Sequence, residues 1–392
     1  MGNEGSIVNP YPTAFGYVAP DEYAPMNGYR SDIGDDSVVQ PISSCAVVHN
    51  PTLLKGWVQA IWSLVNPVGE SPSPRASHFS VYDPEKDRLY IGYGLGVENQ
   101  PLNDVWAFDF KLNRWARLPV HGEEISPRSG CRAALLAHYI VVFGGYADKQ
   151  YLSDFHIINL ETFEISRPQF SGPIPIPRTA PLVETFGNKV FIWGGYNGDY
   201  ITDLSILDTA AKCWTNAALD VKGRTGFSHV RIGNKCYIHG GSREENAEMM
   251  ILNLETGEVG RIEPRGIKVN TRTISSSLVQ AGPVLILIGG RSNEKYSHVY
   301  AFHLERQYWM FFHIAPDGET VSTADGNVDD NGLFQLPRNV STSLVYQENT
   351  RTIYGFLGQP LKDPPPIFML SVGQSIAVIN HQDDMLKMLS FN

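Results

Sequence analysis

Six arginines recur along this 392-residue chain: Arg75, Arg128, Arg178, Arg224, Arg272 and Arg338. The first five follow one another at nearly even intervals, and the step to the sixth is longer. A guanidinium is a planar fork of five donors that stays charged, so its chemistry is the binding of carboxylates, phosphates or carbonyls. The arginines keep step with glycine pairs. Gly144-Gly145, Gly194-Gly195 and Gly240-Gly241 stand at one identical offset from their arginines, and Gly289-Gly290 stands one position further on. First and last copies carry the weaker forms Gly92-Tyr93-Gly94 and Gly355-Phe356-Leu357-Gly358. The segments that follow the glycines hold the other recognition candidates: Tyr146, Tyr196, Tyr200, Arg243, Arg291 and Tyr296. Tyrosine and arginine are the residue types that, with tryptophan, most often dominate the energy of protein interfaces.

Residues suited to catalysis do not fall into a pattern. The chain has no nucleophile elbow, phosphate-cradling glycine loop or His-Glu-x-x-His helix. Histidines such as His78, His138, His229, His239, His298 and His313 are spread without ligand spacing. Asp325, Asn327 and Asp329 match the first three ligands of a calcium loop, but Asp330 stands where glycine is required and Leu336 where the bidentate glutamate belongs. The stretch from Asp317 to Gln335 therefore reads as a solvated loop. The expectation is a non-enzyme with no cofactor and no metal.

A period near fifty marks a repeat architecture. Each unit has about four short apolar runs separated by Gly, Asn, Asp and Pro, which predicts an antiparallel meander. A lone meander cannot cover both of its faces, whereas radially stacked ones cover each other. Trp115, Trp214 and Trp309 close three units. This grammar of hydrophobic strand, Gly-Gly, variable loop, second strand and Trp resembles the kelch repeat over roughly residues 60–380. The resemblance implies an all-β fold, a kelch-type β-propeller with one four-stranded blade per repeat. Six blades fit the six arginines, with a seventh, irregular blade built on residues 44–65 as the alternative. Trp62 stands as far before Arg75 as Trp115 stands before Arg128. It is therefore expected on an outermost strand, joining the last repeat and closing the ring. Ser375–Asn380 competes for the same fourth-strand position.

The expected organisation is an acidic Tyr/Pro-rich tail over 1–40, a lead-in over 41–74, the propeller over 75–381 and a C-terminal tail over 382–392. The first tail has six acidic residues against Arg30 alone, and Tyr11, Tyr17, Tyr23 and Tyr29 recur at every sixth position. In a polyproline-like conformation that step is two full turns, which would align the rings as anchors on one side. Met1 to Ser6 fits the N-myristoylation pattern at Gly2. No apolar run approaches a membrane span, and no secretory signal opens the chain. Cys45, Cys131, Cys213 and Cys236 show no Cys-x-x-Cys spacing, which fits reduced thiols in the cytosol. The net charge of −10 disfavours nucleic acid as a partner.

In a meander, the loop after the second strand and the connection to the next sheet open on one side. The arginines and the post-glycine tyrosines therefore share a face. Two roles stay open for the arginines: structural bonds at the sheet junctions, or contact with a ligand. A basic, tyrosine-lined face on an acidic protein predicts an acidic peptide or surface as partner. The kelch resemblance implies protein binding at this face, and a cytoskeletal filament among the possible assemblies. Three functions follow: a non-catalytic scaffold in a larger assembly, a soluble adaptor for an acidic peptide, or a metal- or sugar-dependent enzyme on the same fold.

Overall fold

The computed structural model describes residues 59–242, 248–269, 273–373, 375, 376 and 379. Both tails therefore lie outside the described residues, and with them Gly2, Cys45 and the four tail tyrosines; so do Arg243 and Arg272.

Each repeat folds into an antiparallel four-stranded meander, as its spacing of apolar runs and turn residues requires. The first comprises Phe79–Asp83, Arg88–Gly92, Val105–Asp109 and Arg114–Arg117. The second comprises Arg132–Leu136, Tyr139–Ala147, Gln150–Asn159 and Glu164–Ser166. The third is Leu182–Phe186, Lys189–Trp193, Asp203–Asp208 and Cys213–Ala218. The fourth is Ser228–Ile232, Lys235–His239, Met249–Asn253 and Val259–Ile262. The fifth is Ile274–Ala281, Val284–Arg291, Val299–His303 and Tyr308–Pro316. The last has Ser343–Gln347, Thr352–Phe356 and Ile367–Ser371, and takes its outer strand, Gln59–Val65, from the other end of the sequence. That strand also pairs in parallel with Tyr308–Pro316, tying the last sheet to the fifth.

The sheets stand radially, with their first strands innermost. Those inner strands line one central channel, which His78, Glu184, Thr185, His229, Ser277 and Ser343 all face. Apolar clusters fill the spaces between neighbouring sheets. Phe79 and Tyr90 meet Ile140 and Ile158 between the first and second sheets. Phe108 and Trp115 meet Val345 and Phe356 between the first and the last. The outer tryptophans fill the widening gaps: Trp115 sits 5.6 Å from Phe356, Trp214 5.6 Å from Phe155, and Trp309 5.0 Å from the His239 ring.

The glycine pairs make the junctions. Gly94 donates its N–H to the Arg128 carbonyl at 2.9 Å, Gly145 to Arg178 at 2.9 Å and Gly195 to Arg224 at 2.9 Å. Gly241 donates to Thr273 at 3.4 Å, Gly290 to Asn339 at 2.8 Å and Gly358 to Arg75 at 2.9 Å, which returns to the first sheet. Close approach is what demands glycine here. A Cβ on Gly144 would lie 2.6 Å from the Arg178 carbonyl oxygen, and its φ is +66°. In the Gly241 and Gly290 junctions the acceptor is one position beyond the repeat arginine, in step with the shifted spacing of Gly289-Gly290.

Two expectations are corrected. Gly373, Ser375, Ile376 and Ile379 are helical rather than a fourth strand, because the edge they would occupy is already taken by Gln59–Val65. The stretch from Asp317 to Gln335 is mostly exposed, as expected of a solvated segment, but it carries regular structure rather than being a plain loop. A 3-10 turn at Thr323–Asp325, closed by a capping box with Ser322, leads into the short strands Asn327–Val328 and Phe334–Pro337. Leu336 is fully buried, and Phe334 packs 6.0 Å from Trp62. The calcium-loop resemblance dissolves in the same geometry. Asp325 accepts from the Ser322 N–H and hydroxyl, while Asp329 accepts from the Asn331 and Leu333 N–H groups.

The junctions predict a graded response to alanine. Gly144→Ala should lose about 3 kcal/mol or more in urea unfolding, since a Cβ meets backbone as well as an unfavourable φ. Gly187→Ala shares a positive φ but meets nothing within 4 Å, and should lose only about 1 kcal/mol. Equal losses would refute the junction account.

Candidate interaction face

Arg75, Arg128 and Arg178 enter their sheets from the glycine-loop side and are buried at once: 0%, 2% and 0% exposed. Each fans its guanidinium in the same way. Nε donates to the carbonyl two positions earlier, at Ser73, Ser126 and Ile176. Nη1 donates to the carbonyl at the glycine position of the same sheet, Tyr93, Gly144 or Gly194. The charge is met by an aspartate of the third strand or just before it: Asp104 at 2.6 Å, Asp154 at 2.6 Å and Asp203 at 2.9 Å. Burial alone would raise the Asp104 carboxyl, but bonds from Arg75 and the Trp106 indole outweigh it and hold it below the usual range. These three arginines, offered by the sequence as contacts for a ligand, are spent inside the sheets. They fix the loops rather than reaching out to a partner.

The remaining arginines differ. Arg224 is 4% exposed, and its Nε and Nη1 make no hydrogen bond among the described residues; burial lowers its pKa, opposed by Glu248. Arg338 bonds backward into the fifth sheet's loop, to the Glu294 carboxylate at 3.0 Å and the Tyr296 carbonyl at 2.8 Å. Tyr296 is thereby held through its backbone and is half-buried. Arg291 is exposed, as is Lys295 beside it.

The carboxylate partners are not among the residues singled out from the sequence, although a signal for them exists. Asp104, Asp154 and Asp203 follow their arginines at offsets of 29, 26 and 25. Each stands directly before the apolar residues of its strand, Val105-Trp106, Phe155 and Leu204. A charged residue there needs a partner, and the repeat offers one arginine per unit.

What the face presents instead is aromatic. Tyr146 and Tyr151, paired across the extended hairpin of the second sheet, pack at 5.0 Å between ring centroids, Tyr151 meets Tyr196 of the third at 6.0 Å, and Tyr196 meets Tyr200 at 5.4 Å. The four rings make a continuous run across two sheets. Tyr146 is exposed and the other three are half-buried. Such rings combine large contact area with little rotamer entropy to lose. Lys149 and Asp199 stand exposed at its edges.

Among the described residues, no helix is long and apolar enough to cross a membrane. Comparison with known proteins gives a match to the KLHDC2/KLHL20/DRC7 Kelch-repeats domain over residues 54–241 and 182–326. Tip elongation aberrant protein 1 of Schizosaccharomyces pombe is 29% identical over 47% of this chain and 17% of its own length. Kelch domain-containing protein 1 of Mus musculus is 24% identical over 55% of this chain and 63% of its own. The Rab9 effector protein with kelch motifs of Rattus norvegicus is 29% identical over 47% of this chain and 53% of its own. The chain thus covers less than two thirds of each of these relatives.

Two outcomes follow from the buried charges. Asp203→Ala strands the Arg178 cation inside the third sheet and should cost about 3 kcal/mol in urea unfolding, while Arg291→Ala at the surface should change stability by no more than about 0.5 kcal/mol. Equal effects would show that the pair carries no weight. His78 is lowered from 6.5 to about 3 by burial and then by Arg75 and Arg132; His239 is lowered to about 4 by burial and then by Arg224. Both are neutral in the fold, so the unfolded chain binds the extra protons. Their stabilisation is complete above pH 6.5 and is lost as pH falls toward 3–4, by up to about 1.4 kcal/mol per unit for each histidine. Denaturation from pH 7.5 to 5 checks this: His78→Gln should flatten the slope, and an unchanged slope contradicts the assignment.

Proposed function

This chain belongs to the kelch-repeat family, and from that premise we propose that it is a non-catalytic protein-interaction scaffold that holds its partner on the glycine-loop face. The observation that carries the reading is the run Tyr146, Tyr151, Tyr196 and Tyr200 across two sheets. Four rings on a rigid ring of sheets form a preorganised contact surface, whose binding costs little ordering. The rat relative is named as a Rab9 effector protein with kelch motifs, which supports a protein-interaction role. A place in a larger cytosolic assembly, a cytoskeletal filament included, belongs to this reading; the yeast relative's name refers to tip elongation.

The adaptor reading has one observation of its own. Between the fifth and last sheets, Ser292, Glu294, Lys295, Arg338, Gln359 and Pro360 line a cleft in which Arg338 is paired with Glu294, leaving exposed Lys295, and exposed Arg291 beside it, as the cations on offer. Its cations suit an acidic peptide. On either reading the recognition surface opens on the same face.

Site-specific photo-cross-linking in cells separates the faces. A cross-linker at position 196 should give a defined conjugate. One at Lys189, in the hairpin on the opposite side, should not. Tyr151→Ala should weaken capture of that partner roughly 30-fold, the equivalent of about 2 kcal/mol. Conjugates from position 189 alone would defeat the proposal. If binding falls with Arg291→Ala and Lys295→Ala while Tyr151→Ala is silent, the cleft and not the tyrosine run is the site.

A further inference from the structure

A second group of side chains, which recognition at the loop face does not use, lies in the wall of the central channel. Glu184 sits on the inner strand of the third sheet and His229 on the inner strand of the fourth. Cys236 is on the next strand of the fourth, directly paired with Arg231. His229 is two positions before Arg231, so His229, Arg231 and Cys236 rise from the same face of that sheet. This face packs on the third sheet and there meets Glu184. The donor atoms of Glu184, His229 and Cys236 all lie within 4.8 Å of one another. His229 Nε2 is 3.3 Å from Glu184 Oε1, and Arg231 Nε is 3.4 Å from Glu184 Oε2. Glu184 and His229 face the channel, while Cys236 closes the back of the group and is fully buried.

We propose that Glu184, His229 and Cys236 form a zinc site whose fourth coordination position opens into the central channel. Thiolate, imidazole and carboxylate together suit zinc better than magnesium or calcium, which favour oxygen alone. Around a tetrahedral zinc with bonds of about 2.0–2.3 Å, ligand atoms stand roughly 3.3–3.7 Å apart. The histidine and glutamate atoms already have that spacing, and the thiol, within 4.8 Å of both, has no more than about an ångström to close. Binding exchanges the Cys236 S–H proton for the metal and releases it to solvent. Arg231 balances Glu184 when no ion is bound. Its side chain is 41% exposed and can turn into the channel, so it competes with the metal. No sequence pattern points to the group, since positions 184, 229 and 236 match no ligand motif and meet only because two sheets stack.

The test is titration of the tag-free full chain with Co²⁺, followed by displacement with Zn²⁺. One equivalent should bind and produce a near-ultraviolet thiolate-to-cobalt charge-transfer band that zinc abolishes. Cys236→Ser should remove the band with the circular dichroism of the fold intact. Glu184→Gln should weaken binding tenfold or more, and Arg231→Met should tighten it. Absence of the band, or a band that survives Cys236→Ser, overturns the proposal, because the other cysteines would then be its source. Should Cys236→Ser fail to fold, unchanged affinity in both His229→Gln and Arg231→Met overturns it equally.

Discussion

The fold depends on one repeated contact: a glycine N–H handed to the carbonyl of the next sheet. For the glycines of the first three sheets, the residue supplying that carbonyl is an arginine, and Arg128 and Arg178 among them have two tasks. The Arg178 carbonyl accepts from Gly145 of the preceding sheet, while its guanidinium binds Asp203, Gly194 and Ile176 of its own. One residue thus couples the junction between sheets to the internal geometry of a sheet. The backbone can come so close only where a Cβ is missing, which is why the glycines keep step with the arginines. Since the apolar clusters draw on adjacent sheets, no sheet has a core to itself, and the arrangement is stable only as a ring.

That constraint divides the labour on the loop side. Charge that looks available in the sequence is consumed by the scaffold, and recognition falls to what the loops add beyond it. The junction between fourth and fifth sheets is the weakest made. Its Gly241 to Thr273 bond is 3.4 Å, against 2.8–2.9 Å elsewhere. Among the described residues, Nε and Nη1 of Arg224 next to it make no hydrogen bond. Deviations from the repeat therefore gather on one side of the ring, while the tyrosine run occupies the most regular part, sheets two and three.

The repeat, the all-β class and the meander order were legible because each rests on local patterning: apolar alternation, turn residues and the constant step from arginine to glycine. The arginines' role was not, because a guanidinium has the same type and spacing whether it meets a partner or a carboxylate further along its own repeat. Reading Asp203 as a partner needed the third strand to be brought beside the first turn. The stretch after Asp317 was only partly legible from its composition. Its Asp, Asn and Gly residues do make turns, but Leu333, Phe334 and Leu336 at its end are what anchor it. Ser375 to Asn380 misled for a topological reason: an apolar run can be a strand only where an edge is free. The tyrosine cluster was half visible, since Tyr146 and Tyr196 occupy matching repeat positions, but Tyr151 links them only in space.

Amide hydrogen exchange of the six junction glycines tests the central claim most directly. If the ring is one cooperative unit, Gly94, Gly145, Gly195, Gly241, Gly290 and Gly358 should exchange slowly, with opening free energies close to that of global unfolding. Fast exchange confined to one junction, with the remaining sheets still protected, would show that the sheets stand without closure and contradict the account.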